Sequence, residues 1–142
     1  ELLLQQRAAS KYHSGGLWSN TCCSHPIAGE TLEEATKRRL QQEVGLNVAM
    51  QPMFSFLYKA TFGNGLTEHE LDHVFVGVSD KSPQLNKHEA SDYKYISLDN
   101  LKKNIFAHPE MYTIWLQICL PNVIEWVKSN PSFLDNKITP NE

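Results

Sequence analysis

Two pairs of residues with one residue between them carry the chemistry of this chain. Cys23 and His25 lie in Asn20-Thr21-Cys22-Cys23-Ser24-His25-Pro26, and Glu68 and Glu70 lie in Thr67-Glu68-His69-Glu70. In extended backbone, side chains alternate faces, so Cys23 is expected to share a face with His25 and Glu68 with Glu70. A thiol, an imidazole and two carboxylates are the parts of a metal-anchored acid/base site: groups that hold a divalent cation beside groups that move protons.

The elements that must position these residues can be read from pattern. A helix is expected over residues 31–44, with Thr31 as cap, Glu34 completing a capping box and Gly45 as the stop. Its apolar positions, Leu32, Ala35, Leu40 and Val44, form a thin stripe. The polar face is left free, and on it Arg39 and Glu43 stand one turn apart. Residues 48–62 and 66–78 read as strands joined by Gly63-Asn64-Gly65. If Phe62 faces Leu66, then Ala60 faces Glu68 and Tyr58 faces Glu70, which sets a phenol beside the second glutamate. Further strands are expected over 2–7, 17–23 (with Trp18 as a packing anchor) and 93–96, loops over 26–30 and 79–91, and a helical turn or two over 98–104. Pro109 is expected to open a long helix with Met111, Tyr112, Trp115, Ile118 and Cys119 on its apolar face. Pro121 should kink or interrupt it, with the pattern resuming over 123–127.

Composition bounds the function. The chain has 142 residues, enough for one domain, and its 41% apolar and 20% charged content is that of an ordinary globular protein. A net charge of -3 gives no nucleic-acid footprint. Three cysteines, two of them adjacent, speak against a disulfide framework and for a reducing, cytoplasmic setting. No apolar run approaches the ~18 residues a membrane span needs. Domain bounds of 1–129 are expected, with a loose C-terminal tail over 130–142.

The stretch between the two residue pairs resembles the Nudix box, a loop–helix–loop motif that handles metal-bound diphosphates. Glu30, Arg38, Leu40, Glu43, Gly45 and Leu46 fall at its glutamate, arginine, aliphatic, last glutamate, glycine and aliphatic positions. Ser24 stands at its first glycine, and Arg39 and Gln42 replace two of its glutamates. The whole chain resembles the type I isopentenyl-diphosphate isomerases, a specialised Nudix group. Arg7-Ala8-Ala9-Ser10-Lys11, Leu17-Trp18-Ser19-Asn20-Thr21, Cys23-Ser24-His25-Pro26, Tyr58-Lys59-Ala60-Thr61 and Glu68-His69-Glu70 carry that resemblance. It implies an α/β (α+β) Nudix fold, a mixed β-sheet sandwiched between helices.

The resemblance also implies roles. Cys23 and Glu70 would be the acid/base pair acting on opposite faces of isopentenyl diphosphate to give dimethylallyl diphosphate, with Tyr58 hydrogen-bonded to Glu70. His25, Glu68 and Glu70 would ligate a tightly bound Mn²⁺, Zn²⁺ or Mg²⁺, and Glu43 would bind Mg²⁺ with the substrate diphosphate. Arg7, Lys11 and Arg39 would contact that diphosphate, and Trp115 would wall the pocket. Two further histidine ligands would lie upstream of Leu2, so the chain is expected to be an N-terminally truncated piece with a weakened or empty metal site. His13, His69, His73 and His88 are not at matching positions. Ser24, in place of the motif glycine, is expected to need a modest backbone adjustment. The partner is a small diphosphate, with no nucleic acid or membrane, and the state a monomer. The alternative is a Nudix hydrolase of a nucleoside or other diphosphate, which should need the carboxylates replaced by Arg39 and Gln42.

Overall fold

The computed structural model describes residues 1–23 and 25–133, so the expectation for Ser24 and most of the expected tail, 134–142, lie outside the described residues. The first strand, β1 (Leu2–Arg7), ties the two sides of the fold together. Alternation puts Leu4 on one face and Leu3 on the other. Leu4 is fully buried with Leu101, Tyr112, Leu116, Cys119 and Leu120, while Leu3 packs against Leu40, Val44 and Leu46. One strand is thereby covered on both sides by helical layers.

β1 is the middle strand of a three-stranded sheet, antiparallel to β2 (Trp18–Ser19) and to β5 (Ala90–Ile96). Leu4 pairs with Lys94, and the register then slips between Gln6 and Arg7, so Arg7 faces Ala90. Such a bulge re-aims the side chain beyond it, here Arg7. The strand pairings are antiparallel throughout the described residues. The parallel component of the expected mixed sheet is a single bridge between Trp18 and Tyr112.

Helix α1 (Leu32–Val44) lies on the Leu3 side. The Thr31 hydroxyl accepts from the Glu34 N–H at 3.1 Å. Gly45 ends the helix in the left-handed region (φ 67°), its N–H donating to the Gln41 carbonyl. Strands β3 (Gln51–Thr61) and β4 (Thr67–Val76) form a separate antiparallel hairpin. Its turn is closed by the Phe62 N–H on the Leu66 carbonyl at 2.8 Å. Tyr58 faces Glu70 and Ala60 faces Glu68, the register expected from the turn. A bulge does occur, between Pro52 and Phe54, too far along to disturb the glutamates.

Several expectations are corrected. The strand over 17–23 is cut to two residues, because Asn20 and Thr21 turn their side chains onto the backbone at Cys22 and Leu3. β5 begins three residues earlier than expected. The turn over 98–104 is a full helix, α2 (Leu98–Ala107), with the Ser97 hydroxyl accepting from Asn100 N–H at 3.2 Å. Pro109–Met111 is a single 3-10 turn and does not open the long helix. Tyr112 stays extended to bridge Trp18, and the Thr113 N–H donates to the Trp18 carbonyl at 2.9 Å, so α3 starts at Ile114. α3 (Ile114–Ser129) then runs through Pro121 without interruption. Buried Leu116 and Leu120 before it, and Val123 and Ile124 after it, pack on one core and outweigh the lost backbone bond. Past α3, Phe133 sets its ring edge-on to Trp126, 5.4 Å between centroids. Among the described residues no helix is long and apolar enough to cross a membrane.

A Cβ at Gly45 would stand 2.9 Å from the Gln84 Cβ, in a backbone conformation that L-residues avoid. Gly45→Ala should therefore cost about 2 kcal/mol in urea unfolding. A loss below about 0.5 kcal/mol would show that the cap and the 84–90 loop do not constrain each other.

Candidate active site

The hairpin presents its acidic face through strict alternation: Glu68, Glu70 and also Asp72 point the same way along β4. Tyr58 lies across from Glu70 by backbone register, but its hydroxyl donates to a carboxylate oxygen of Glu68. This corrects the expected Tyr58–Glu70 bond. A phenol is long enough to reach the diagonal neighbour, and the one it reaches is Glu68. The other Glu68 oxygen lies 2.6 Å from His13 Nε2. His13 is buried, stacked on Phe62 (4.2 Å between centroids) and edge-on to Trp115 (5.7 Å). Burial, then the hydrogen bond to Glu68, pushes the Tyr58 phenol well up. Burial and the neighbouring Glu70 push Asp72 up to about 7.

The cysteine segment meets this face. His25 Nε2 lies 3.5 Å from Glu70 Oε1, although the imidazole is 74% exposed. The loop carrying His25 is held from below by Arg38. That guanidinium grips Glu30 with two bonds of 2.7 and 3.0 Å and donates to the His25 carbonyl at 3.3 Å. These bonds hold the Glu30 carboxyl below its ordinary range. Cys23 opens to solvent, yet its thiol is crowded. Burial first, then the carboxylates of Asp72, Glu43 and Glu70, push it up to about 12. The thiol is thus held neutral.

Glu43 sits beside this pair with 4% of its surface exposed. It accepts from Cys22 Sγ at 2.8 Å and from Gln5 Nε2 at 3.3 Å, and lies 3.5 Å from Arg39 Nη2. Cys22 is therefore a hydrogen-bond donor as well as a packing residue. Arg39 and Lys11 gather on a third carboxylate, Glu89, at 3.6 and 2.8 Å. Arg7 places its guanidinium 5.1 Å over the Trp115 ring and donates to the His13 carbonyl. Trp115 is buried, its indole N–H shared by Ser19 Oγ (3.0 Å) and Asn20 Oδ1 (3.1 Å). The Nε atoms of Arg7 and Arg39 are buried without an acceptor.

The three expected ligands of a resident metal do not form a coordination group as they stand. Glu70 and His25 meet, but both oxygens of Glu68 are taken by Tyr58 and His13. Among the described residues no three His, Cys, Asp or Glu side chains are gathered for an ion. The residues do not fit the group in this arrangement.

Residues 1–115, which hold the capped helix α1 and the antiparallel strands, match the family described as NUDIX domain. The MutT protein of Methanosarcina mazei shares the fold, with a TM-score of 0.69 over 90% of this chain and 83% of that one at 17% identity. An isopentenyl-diphosphate Delta-isomerase of Pectobacterium atrosepticum is 50% identical over 126 residues, 89% of this chain and 70% of that protein. An isopentenyl-diphosphate Delta-isomerase 2 of Aromatoleum aromaticum is 52% identical over 123 residues, 87% of this chain and 65% of that protein. The chain belongs to the isopentenyl-diphosphate Delta-isomerases of the Nudix family. Such membership implies dependence on divalent cations in general.

Sequence reasoning missed Asp72, Glu89, His13 and Gln5. Asp72 was readable, since continuing the alternation from Glu68 and Glu70 reaches it. The other three depend on long-range contacts that carry no local signal.

The raised Cys23 thiol has a direct readout. In a Cys22→Ala, Cys119→Ala background, iodoacetamide alkylation should keep rising with pH, about ten-fold per unit, through pH 10, because the thiolate is the nucleophile. A rate that levels off between about pH 9 and pH 10 would mean an ordinary, solvated thiol.

Proposed function

We propose that this site converts isopentenyl diphosphate to dimethylallyl diphosphate, Cys23 and Glu70 exchanging protons with opposite faces of the five-carbon chain. The observation that carries the proposal is the convergence of two distant segments. The Cys23-Ser24-His25 stretch and the β4 carboxylates are brought within 3.5 Å at His25 and Glu70, beside a set of cations. Curated relatives at about half identity bear the isomerase name, which supports the same reading.

The reaction adds a proton at one carbon and removes one from another, through a tertiary cation or something close to it. Cys23 and Glu70 come from different segments, as two-sided proton transfer needs. The thiol begins neutral and so holds a proton. Tyr58 and His13 fix Glu68, which leaves Glu70 the less constrained carboxylate. The Trp115 ring, pinned through its N–H, can stabilise developing positive charge by about 2 kcal/mol when water is excluded. Arg7, Lys11 and Arg39 would bind the diphosphate, and Glu43 would hold the Mg²⁺ that arrives with it. A tightly bound Mn²⁺, Zn²⁺ or Mg²⁺ at His25, Glu68 and Glu70 would require these three side chains to regroup. We read the protein as a cytoplasmic monomer with no nucleic-acid or membrane partner. Hydrolysis is disfavoured because Arg39 and Gln42, which replace box carboxylates, bond to each other at 3.0 Å.

Proton NMR of isopentenyl diphosphate in D₂O with Mg²⁺ and Mn²⁺ tests this. Deuterium should enter a new methyl group, with the rate falling about 10²–10⁴-fold in Cys23→Ala and in Glu70→Gln. An unchanged spectrum from folded, metal-supplied protein would refute the proposal, and release of inorganic phosphate would favour a hydrolase.

A further inference from the structure

Glu89, at the phosphate end, has no part in the proposed chemistry, yet it holds Lys11 and Arg39. Its Oε2 lies 2.8 Å from Lys11 Nζ and 3.6 Å from Arg39 Nη2. The same Arg39 Nη2 lies 3.5 Å from Glu43 Oε2, so this guanidinium is shared between two carboxylates. The backbone fixes the arrangement. The Ala8 N–H donates to the Glu89 carbonyl at 3.0 Å, the Glu89 N–H to Asn86 at 2.9 Å, and the Asn86 N–H to the Glu43 carbonyl at 3.0 Å. Burial pushes the Glu89 carboxyl up, but Lys11 and Arg39 outweigh it and hold it below its ordinary range, so it stays ionised.

We propose that Glu89 is a specificity-determining residue. It is an internal carboxylate that stands in for substrate on Lys11 and Arg39, and it makes the cradle accept diphosphate with a divalent cation in preference to bare diphosphate. The inference rests on the reading of this site as a diphosphate cradle. Lys11 and Arg39 against Glu43 and Glu89 make a neutral cluster, and Arg7, over Trp115, brings the end of the site to one net positive charge. Bare diphosphate brings about three negative charges near neutral pH, and its Mg²⁺ complex about one. The cradle is therefore charge-matched to the complex. Removing the Glu89 charge shifts the match towards the bare anion. A part-buried unit charge this close changes anion affinity by about a power of ten. The competing role, in which Glu89 merely holds Lys11 and Arg39 in place, predicts the reverse: its loss would weaken both forms.

Calorimetric titration of inorganic pyrophosphate, once with EDTA and once with excess Mg²⁺, separates these. Wild type should bind the Mg²⁺ form about ten-fold more tightly than the bare form. Glu89→Gln should tighten bare pyrophosphate about ten-fold and leave the Mg²⁺ form within about three-fold, so the preference collapses. Lys11→Met, which leaves Glu89 less neutralised, should widen the preference and serves if the first variant folds poorly. Equal weakening of both forms by Glu89→Gln, or an unaltered preference in both variants, overturns the proposal. Pyrophosphate binding to wild type in neither condition overturns the diphosphate reading itself, and this inference with it.

Discussion

Burying a carboxylate costs several kcal/mol unless polar partners replace its water, and Glu43 meets that demand by drawing three segments of the chain to one point. Gln5 reaches it from β1, Cys22 from the segment after β2, and Arg39 from the preceding turn of α1. The Glu43 main-chain carbonyl accepts from Asn86 in the loop before β5. This junction sets the position of the cysteine segment relative to α1, because Cys22 is tied down directly beside Cys23. Arg38, one residue before Arg39, then fixes the far end of the same segment through Glu30 and the His25 carbonyl. Arg38 and Glu43, little more than one turn apart on one helix, thus secure the two ends of the segment from Cys22 to His25.

The carboxylate side of the site depends on a different support. β3 and β4 pair with each other alone among the described strands, and an isolated two-stranded hairpin is marginal in water. Phe54 and Phe56 pack into the cluster built by Leu4, Leu116 and Leu120, and the Tyr58 ring lies 6.5 Å from Trp115. Alternation explains why these residues share a strand face with the chemistry. The positions that anchor the hairpin to α3, Phe54, Phe56 and Tyr58, are the ones whose cross-strand partners include Asp72 and Glu70. Leu57 and Leu71, paired on the opposite face, are exposed. One amphipathic hairpin therefore uses a single face both to anchor itself and to present its carboxylates.

What was legible in the sequence was set by local rules. The turn at Gly63-Asn64-Gly65 fixed the Tyr58–Glu70 register, and Thr31 and Gly45 bounded α1, because caps and turns are decided within a few residues. The hydroxyl of Tyr58 went to Glu68 because register positions Cα atoms and leaves a long side chain a choice of diagonal partners. Pro109 is compatible with a helix start, but the chain there is held extended by Trp18, whose pairing with Tyr112 spans more than ninety positions. Glu89 and His13 were invisible for the same reason. Each matters through a contact with a residue more than fifty positions away, Lys11 and Glu68 respectively. Family resemblance supplied the roles of the site residues, and it did not supply these two.

The two ends of the site carry opposite charge and meet at Trp115. On one side Arg7 lies over the ring. On the other are Tyr58 and His13, which hold Glu68, in line with Glu70 and Asp72. A substrate with an anionic head and a neutral alkene is oriented by that polarity without any contact specific to its hydrocarbon, since its head can be neutralised at one end alone. The same polarity suits a cationic intermediate, which would form nearer the carboxylates than the guanidinium groups. An indole held rigidly by Ser19 and Asn20 separates the two fields, because it offers a low-polarity surface that needs no solvent. A flexible or polar residue at Trp115 would let water into the boundary, screening both ends and giving the cation a nucleophile. The buried hydrogen bonds of the Trp115 N–H therefore fix the ring between the Arg7 guanidinium on one side and the Tyr58 and His13 rings on the other.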